Sequence, residues 1–191
     1  MTQIQSLPST VREENVARTK QAILLAAQNL FATSGYAETG VRDIATQAKV
    51  NQALIARYYG SKLGLFEAVL EFSLDVSMFT QVNRPHFGEQ VAAAFFKSKP
   101  DEESVIPMLV FSAGDSQARS TALKMLQQHV IEPLEEWFGG NEAAERAAQL
   151  MAVITGFYTY RLMLPLDPLK GKPTLRMQEW LARTLQDIVD R

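Results

Sequence analysis

Apolar residues recur three and four positions apart along most of the chain, the spacing of helices that bury one face. The first such set predicts a helix from about Val16 to Ser34, stopped by Gly35. Its apolar members are Ile23, Ala26, Ala27, Leu30 and Phe31. Residues 1–15 precede this period and predict a mobile N-terminal arm.

Two shorter apolar runs follow, separated by a break of about three residues. The first run carries Ile44, Ala45 and Ala48 on one face, and the second repeats the pattern with Ile55 and Tyr59. Two short helices packed on one small core, with a tight turn between them, predict a helix-turn-helix. The side chains that the second helix directs away from this core are Gln52, Ala53, Ala56 and Arg57. That arrangement suits insertion into a DNA major groove.

Several side chains around this motif have the chemistry of DNA contacts. The candidates for reading bases are Arg42, Gln52, Ala53, Ala56 and Arg57. Asn51 is placed to cap the second helix and is also a candidate for a phosphate contact, and Tyr58 has a hydroxyl to donate to a phosphate. Thr39 or Gly40 begins the first of the two helices, whose free N–H groups suit a phosphate.

The remainder of the chain also predicts helices. Ser61 caps a connector helix that runs to about Phe79, and the pattern breaks at 83–86. Further helices are expected over 88–98, 105–113, 116–138, 142–164 and from Thr174 onward, with a kink at Pro133. The 142–164 helix is apolar on nearly every side, so all of its sides must be covered.

This excess of apolar surface on the last two helices predicts a four-helix seam with a second copy of the chain. The predicted seam consists of Ala147, Met151, Ile154, Met177, Leu181, Leu185 and Ile188.

Composition narrows the class of protein. At 191 residues and 47% apolar, the chain is long enough for a full core, as one domain or as a small domain joined to a larger one. The lack of cysteine excludes disulfides and thiolate metal sites, and neither a membrane-length apolar run nor a secretion signal is present. We therefore expect a soluble cytoplasmic protein with no cofactor, no metal and no membrane partner.

Charge is distributed unevenly along the chain. Residues 1–66 carry a net charge of +3 and the remainder −5, within a total of −2. A DNA-binding head on an acidic body would show this asymmetry, and chance variation of surface charge is the alternative.

The motif residues together resemble the DNA-binding domain of tetracycline-repressor (TetR) family regulators, over about residues 16–70. The matching positions are Gly35-Tyr36, Val41 to Ala45, Ala48, Val50, Ala53 to Ile55, Tyr58-Tyr59, Ser61-Lys62 and Leu65-Phe66. Three positions depart from the pattern: Lys49 stands at the usual turn glycine, Gly40 replaces a frequent Ser or Thr, and Ala56 replaces a frequent aromatic.

The resemblance implies an all-α homodimer that binds double-stranded DNA at a palindromic operator as a transcriptional regulator, more often a repressor. It implies a mobile arm (1–15), a helix-turn-helix domain (16–64) and a ligand-binding and dimerisation domain (65–191), joined by a connector helix. It also implies phosphate contacts for Arg18, Thr19 and Lys62. A small molecule in the C-terminal domain would move the connector helix and shift the population away from the DNA-binding state.

Large, adaptable side chains of the C-terminal helices are the candidates for an effector pocket: Phe95, Met108, Phe111, Met125, His129, Trp137, Phe157 and Arg161. They predict a hydrophobic or aromatic ligand, with an acidic group for Arg161 to pair with, and a packed core is the alternative for each of them.

No nucleophile elbow, phosphate-binding glycine loop or zinc-protease motif is present, which argues against an enzyme. A helical carrier of hydrophobic ligands and a DNA-organising protein without a ligand remain as alternatives.

Overall fold

The structure is a computed structural model that describes residues 9–97 and 104–191, with side chains from Arg12 onward. The described residues form helices and contain no strand, which confirms the predicted all-α class. The first four helices are α1 (Ser9–Glu38), α2 (Val41–Gln47), α3 (Gln52–Tyr59) and α4 (Lys62–Ser73). Those that follow are α5 (Ser77–Thr80), α6 (Phe87–Lys97), α7 (Ile106–Ser112), α8 (Ser116–Leu126), α9 (Glu132–Phe138), α10 (Ala143–Tyr158) and α11 (Leu175–Asp190).

Helix α1 begins earlier than its apolar period. It starts at Ser9, so the prediction of a mobile arm is wrong for residues 9–15, and residues 1–8 of that arm lie outside the described residues. Arg12, Glu13 and Glu14 have high helix propensity, which extends the helix without a buried face. Gly35 interrupts α1 as expected, because its φ of 76° lies in the left-handed region that favours glycine.

Helices α1 to α4 share one core. The large side chains Ile23, Phe31, Ile44, Ile55 and Phe66 are all at most 1% exposed. Phe31 and Phe66 meet edge to face, with ring centres 5.1 Å apart. Full burial of each such side chain stabilises the fold by about 1.5–3 kcal/mol, so the predicted amphipathic faces do hold the small helices together.

The connector helix α4 is shorter than predicted. It ends at Ser73 instead of about Phe79, because the chain turns extended at Leu74 (ψ 92°) and a new helix starts. The Asp75 carboxylate accepts hydrogen bonds from the backbone N–H and the hydroxyl of Ser77, both at 2.8 Å. This local turn precedes the short helix α5, and the sequence pattern alone does not distinguish it from a continuing helix.

The expected 116–138 helix consists of α8 and α9 joined without a loop. A π-helical segment, Gln127–Ile131, connects them immediately before Pro133. Proline lacks the N–H that would bond to the carbonyl of residue 129. The helix accommodates this missing bond by a wider π turn, at the position where a kink was predicted. Helix α10 likewise continues through a π-helical segment at Thr159–Met163.

The last helix, α11, is fastened to its own chain. It crosses α6 so closely that a Cβ placed on Gly88 would lie 2.0 Å from the Ala182 carbonyl oxygen. The Gln186 side chain accepts from the Gly88 N–H at 2.9 Å and donates to the Arg84 carbonyl at 3.0 Å. Backbone contact of this kind requires glycine at position 88.

A buried arginine holds the end of α11. Arg146 on α10 is 9% exposed, and its guanidinium donates to the carbonyl oxygens of Ile188, at 2.9 Å, and of Val189. The same guanidinium lies 4.5 Å from the ring centre of Phe138. Because the last carbonyls of a helix have no partner within it, this arginine satisfies groups that α11 would otherwise bury unpaired.

Most of the residues predicted to form the dimer seam are instead buried within a single chain. Five of the seven residues are already covered by their own chain, at 0–6% exposure: Ala147, Ile154, Leu181, Leu185 and Ile188. Met151 and Met177 are half-buried. The apolar stripe of α11 faces α6 and α10 of the same chain, so a second copy cannot cover it.

The opposite face of α10 and α11 is apolar and open. Its exposed large side chains are Tyr160 (48%), Leu166 (50%), Leu175 (76%) and Trp180 (51%). No helix in the described ranges is long and apolar enough to cross a membrane.

Candidate functional site

Helices α2 and α3 meet at a tight turn. The Asn51 side chain accepts from the Ala53 N–H at 2.8 Å and so caps α3, as its position in the sequence predicts. Lys49 has a φ of 56°, so it takes up the left-handed conformation that glycine adopts more easily. Such a conformation costs a residue with a side chain roughly 1–2 kcal/mol, which the surrounding helices must offset.

The outer face of this motif is open to solvent. Ile55 points inward and is 1% exposed. The five predicted base-reading residues are all exposed: Arg42, Gln52, Ala53, Ala56 and Arg57. Glutamine pairs with adenine, arginine pairs with guanine and a small apolar side chain contacts the thymine methyl group, so this face has the chemistry to distinguish base pairs.

The junction between α3 and α4 is unusually close. Ser61 caps α4 by accepting from the Gly64 N–H at 3.0 Å. A Cβ placed on Gly64 would lie 2.3 Å from the carbonyl oxygen of Tyr59, the last residue of α3. The first turn of α4 therefore rests directly on the end of α3, and any movement of one helix acts on the other.

Helix α1 lies beside the end of α3. The Tyr59 hydroxyl donates to the Lys20 carbonyl at 3.1 Å, and burial raises the pKa of Tyr59, which therefore remains a donor. The Lys20 ammonium lies 5.5 Å from the ring centre of the half-buried Tyr58. Lys20 is thus an exposed cation beside Tyr58, and it lies on α1 together with Arg18 and Thr19, where the family resemblance brings this helix near the DNA backbone.

The two predicted phosphate contacts of α1 differ in exposure. Arg18 is exposed, and its guanidinium donates to the Asn15 side chain at 2.8 Å. Thr19 is half-buried, and its hydroxyl donates to the Asn15 carbonyl at 2.7 Å. Arg18 has donors left for an anion, whereas the Thr19 hydroxyl would have to leave its backbone partner.

Lys62 lies against its own domain. Its ammonium donates to the Ala37 carbonyl at 3.3 Å and is 4.3 Å from the ring centre of Tyr36. Burial lowers the pKa of Lys62 below its ordinary value, and the carboxylates of Asp115 and Glu38 oppose that shift. The ammonium has three donors and uses one of them on Ala37, so the other two are left for a phosphate.

Thr39, another predicted phosphate contact, has its side chain engaged within the domain. Its side chain is 3% exposed, and its hydroxyl donates to the carbonyl oxygens of Gly35, at 2.7 Å, and Leu30, at 3.1 Å. Gly40 is the N-cap of α2 and makes no side-chain cap. The Thr39 side chain thus closes the break in α1 and is unavailable to a phosphate.

The predicted effector pocket is not assembled as one site. Met108 and Met125 are core residues, at 1% and 3% exposure, and Phe111 is 43% exposed. Trp137 stacks with Arg84, whose guanidinium carbon is 4.4 Å from the ring centre.

The remaining members of that set are also dispersed. Phe157 packs on Phe96, with ring centres 5.5 Å apart, and His129 is half-buried in the first π-helical segment. Arg161 donates to the Phe96 carbonyl at 3.2 Å. Large side chains from different helices can form a core as readily as a cavity, and spacing alone cannot separate the two.

A different cavity, partly open to solvent at Asp75 and Met78, extends into the interior of the C-terminal body (α5 to α11) and includes only Phe95 of the predicted set. Its volume is about 240 Å³, and its wall comes from the end of α4, from α5 to α7, and from the α8–α9 and α10 helices. The lining residues are Ser73, Leu74, Asp75, Met78, Phe79, Phe95, Ser104, Val105, Ile106, Leu109, Val130, Met151, Ile154 and Tyr158. A ligand there would touch the end of α4 that lies opposite α3.

The C-terminal body (α5 to α11) contacts the helix-turn-helix unit (α1 to α4) through helices α7 and α8. Helix α7 packs against α1, where Phe111 fills the space that a side chain at Gly35 would need. Helix α8 packs against α4, where Lys124 pairs with Glu67 at 2.9 Å. Both of these charged side chains are about half exposed, so the pair contributes less than about 1 kcal/mol.

Comparisons with known proteins agree with this architecture. The family description "Tetracyclin repressor-like, C-terminal domain" matches residues 86–189, which is more than half of the chain. "Bacterial regulatory proteins, tetR family" matches residues 23–69. Both regions coincide with the two parts of the structure.

Similar sequences include named repressors. The chain is 50% identical over 62 residues to the HTH-type transcriptional repressor Rv3405c of Mycobacterium tuberculosis, a match that covers 32% of this chain and 31% of that one. It is 26% identical over 170 residues to the HTH-type transcriptional repressor BepR of Brucella suis, covering 74% of this chain and 79% of the relative. The match to Rv3405c thus spans about a third of that protein's length.

Solved structures share the fold. NalD of Pseudomonas aeruginosa, the secondary repressor of the MexAB-OprM multidrug efflux pump, superposes with a TM-score of 0.63 at 22% identity, over 88% of this chain and 95% of that one. SCO4454 of Streptomyces coelicolor gives a TM-score of 0.65 at 15% identity, over 91% and 95%. With family matches to both of its parts, the chain belongs to the TetR family of bacterial regulatory proteins.

Proposed function

We propose that the protein is a DNA-binding transcriptional repressor, a regulator and not an enzyme, which acts in the cytoplasm on a palindromic operator. The observation that carries this proposal is the exposed face of α3, where Gln52 and Arg57 project from a helix whose other face is buried. The proposed base-reading set is Arg42, Gln52, Ala53, Ala56 and Arg57. The proposed phosphate set is Arg18, Thr19, Lys20, Asn51, Tyr58 and Lys62.

The test is binding of the purified protein to labelled DNA from upstream of its own coding region, followed by fluorescence anisotropy, with a scrambled duplex of equal length as control. A repressor prefers the native duplex by roughly 10³-fold or more at physiological salt. A carrier of hydrophobic ligands would bind neither duplex, and a DNA-organising protein would bind both alike.

The repressor is further proposed to act as a homodimer through the exposed face of α10 and α11. Support comes from Tyr160, Leu166, Leu175 and Trp180, which border a shallow apolar hollow of about 640 Å³ or lie beside it. Contiguous apolar surface of this kind is typical of protein interfaces. Two linked heads on a palindrome bind far more tightly than one, so operator affinity should depend on this contact.

A matched pair of variants tests the dimer. Trp180→Glu should give monomers in sedimentation and weaken operator binding by at least about 100-fold, because it places a charge in an apolar seam. Phe72→Glu is the control, since Phe72 on α4 is equally exposed, at 51%, but lies on another helix. Unchanged dimerisation in Trp180→Glu would remove this face from the proposal.

The interior cavity is proposed as the effector site. Ser73 and Leu74 at the end of α4 line it, while Gly64 at the other end of α4 touches α3. A ligand that favours one position of α4 would therefore shift the population of α3 positions, provided that it binds the two states with different affinity. Release of operator DNA on ligand addition, followed in the same anisotropy assay, tests this step.

A further inference from the structure

The polar groups that line the cavity in the described part of the chain are one carboxylate and a few hydroxyls. The described lining residues are mostly apolar, and no lysine, arginine or histidine is among them. Within residues 9–97 and 104–191, the charged residue of the lining is Asp75, which lies at the exposed rim. A ligand in this cavity would thus meet a negative charge and apolar walls.

Asp75 is held as a carboxylate. The two hydrogen bonds from Ser77 lower the pKa of Asp75 below its ordinary value, so the group is ionised at neutral pH. Each of its oxygens accepts one of these bonds, at 2.8 Å. Since a carboxylate oxygen has two lone pairs, each oxygen of Asp75 can accept a further hydrogen bond from a ligand.

A second polar group, the Ser73 hydroxyl, lies beside the cavity without a partner in the described part of the chain, and a turn about its Cα–Cβ bond would bring it to a ligand. The Ser73 hydroxyl oxygen is buried and makes no hydrogen bond among the described residues. Ser104 also lines the cavity, but its hydroxyl oxygen accepts from the Ile106 N–H at 3.3 Å. A buried group left unpaired is costly, so a ligand that supplies a hydrogen-bond donor to Ser73 would be favoured.

We propose that the cavity selects a compact apolar molecule that carries an amine, with the ammonium hydrogen-bonded to Asp75 and Ser73, and discriminates against carboxylic acids. The inference rests on the proposed effector site. Ligand pockets commonly measure about 300–1,000 Å³ and a cavity of about 150 Å³ holds benzene, so a volume of 240 Å³ suits one ring with a short chain.

This assignment replaces the acidic ligand that the sequence predicts. That expectation depends on Arg161 lying in the pocket, whereas Arg161 is outside the cavity lining and donates to the Phe96 carbonyl. The described lining residues include no cation, so a carboxylate among them would be repelled by Asp75 and would lose part of its hydration without a charged partner.

The experiment compares three probes of similar size: 3-phenylpropylamine, 3-phenylpropanol and 3-phenylpropionate. Binding to the DNA-free, full-length protein is measured by isothermal titration calorimetry, and operator release is measured separately by anisotropy. The amine should bind tightest, with an advantage over the acid of roughly fivefold or more for a pair at a partly exposed carboxylate. Equal affinities, a preference for the acid or no binding of the amine would overturn the inference.

Variants assign the preference to the cavity. Asp75→Asn should abolish the advantage of the amine while leaving the alcohol nearly unchanged, because the amide still accepts from Ser77 but carries no charge. Ser73→Ala should weaken the amine and the alcohol together. Asp167→Asn is the control, since Asp167 is an exposed carboxylate in a surface pair with Lys170 and should leave all three affinities unchanged.

These measurements distinguish failure of the proposed effector switch from failure of the proposed ligand class. Selective amine binding without release of DNA would keep the ligand class and refute the effector switch. Release of DNA by the acid, with the amine inactive, would keep an effector and refute the ligand class. A preference for the amine that persists in Asp75→Asn would place the recognition elsewhere and overturn the inference.

Discussion

Gly64→Ala tests whether the contact between α3 and α4 positions the reading helix. The added Cβ would lie 2.3 Å from the Tyr59 carbonyl oxygen, whereas real contacts of this kind essentially never fall below 3.0 Å. The end of α3 and the first turn of α4 must therefore separate by somewhat less than 1 Å. Both sides of the contact are backbone, so no side-chain rotation can relieve it.

The expected magnitudes follow from that displacement. Overpacking costs about 1–3 kcal/mol, and the higher helix propensity of alanine returns about 0.5–1 kcal/mol, so the net loss of stability should be about 0–2.5 kcal/mol. A base contact that loses its geometry costs roughly 1–3 kcal/mol. With one misplaced α3 in each half-site, operator affinity should fall by at least about tenfold while the protein remains folded.

Urea unfolding and anisotropy on operator DNA measure the two effects. Gly114→Ala serves as the control, because a Cβ there would meet only the Phe111 carbonyl oxygen, at an ordinary 3.7 Å. If Gly64→Ala kept both stability and operator affinity at the level of this control, the close approach would not position α3, and the proposed route from the cavity to the DNA would lose its first link.

Further substitutions test single contacts. Lys49→Gly should raise the free energy of unfolding by about 0.5–1 kcal/mol, measured in urea, since it relieves the left-handed strain at a φ of 56°; a lower stability would contradict that reasoning. Gln52→Ala should relax base preference at one position in each half-site of a sequence library. Lys62→Ala should weaken binding to all sequences alike and reduce the slope of log affinity against log salt concentration by about one. If both variants lost affinity uniformly across the library, the assignment of Gln52 to a base and of Lys62 to a phosphate would be refuted. Arg146→Met should lower stability by about 2–4 kcal/mol, because the carbonyl of Ile188 loses its buried donor; an unchanged urea midpoint would show that water replaces the guanidinium.

The helix-turn-helix could be predicted in detail because its parts are neighbours in the sequence. The apolar positions around Ile44 and Ile55 lie within about a dozen residues of each other, and Asn51 caps α3 through a bond two residues away. Such local interactions are fixed by spacing and residue type.

The dimer seam and the pocket could not be derived in this way. The apolar stripe of α11 through Leu181 and Leu185 predicts a buried face. The sequence pattern is the same whether α6 of the same chain or a second subunit covers that face. The contact at Gly88 decides the matter, and it joins residues almost a hundred positions apart. Likewise, α5 follows a local turn in which Asp75 accepts from the Ser77 N–H, and this turn interrupts a continuous apolar pattern.

Selection of bound sequences from random double-stranded DNA by the purified protein tests the central claim most directly. The account predicts enrichment of a palindrome whose half-sites lie on one face of the duplex, separated by about one helical turn or a multiple of it. Repeating the selection with Gln52→Ala should leave the palindrome and relax one position in each half. No enriched sequence, or a single unpaired half-site, would contradict a dimeric repressor that reads DNA through α3.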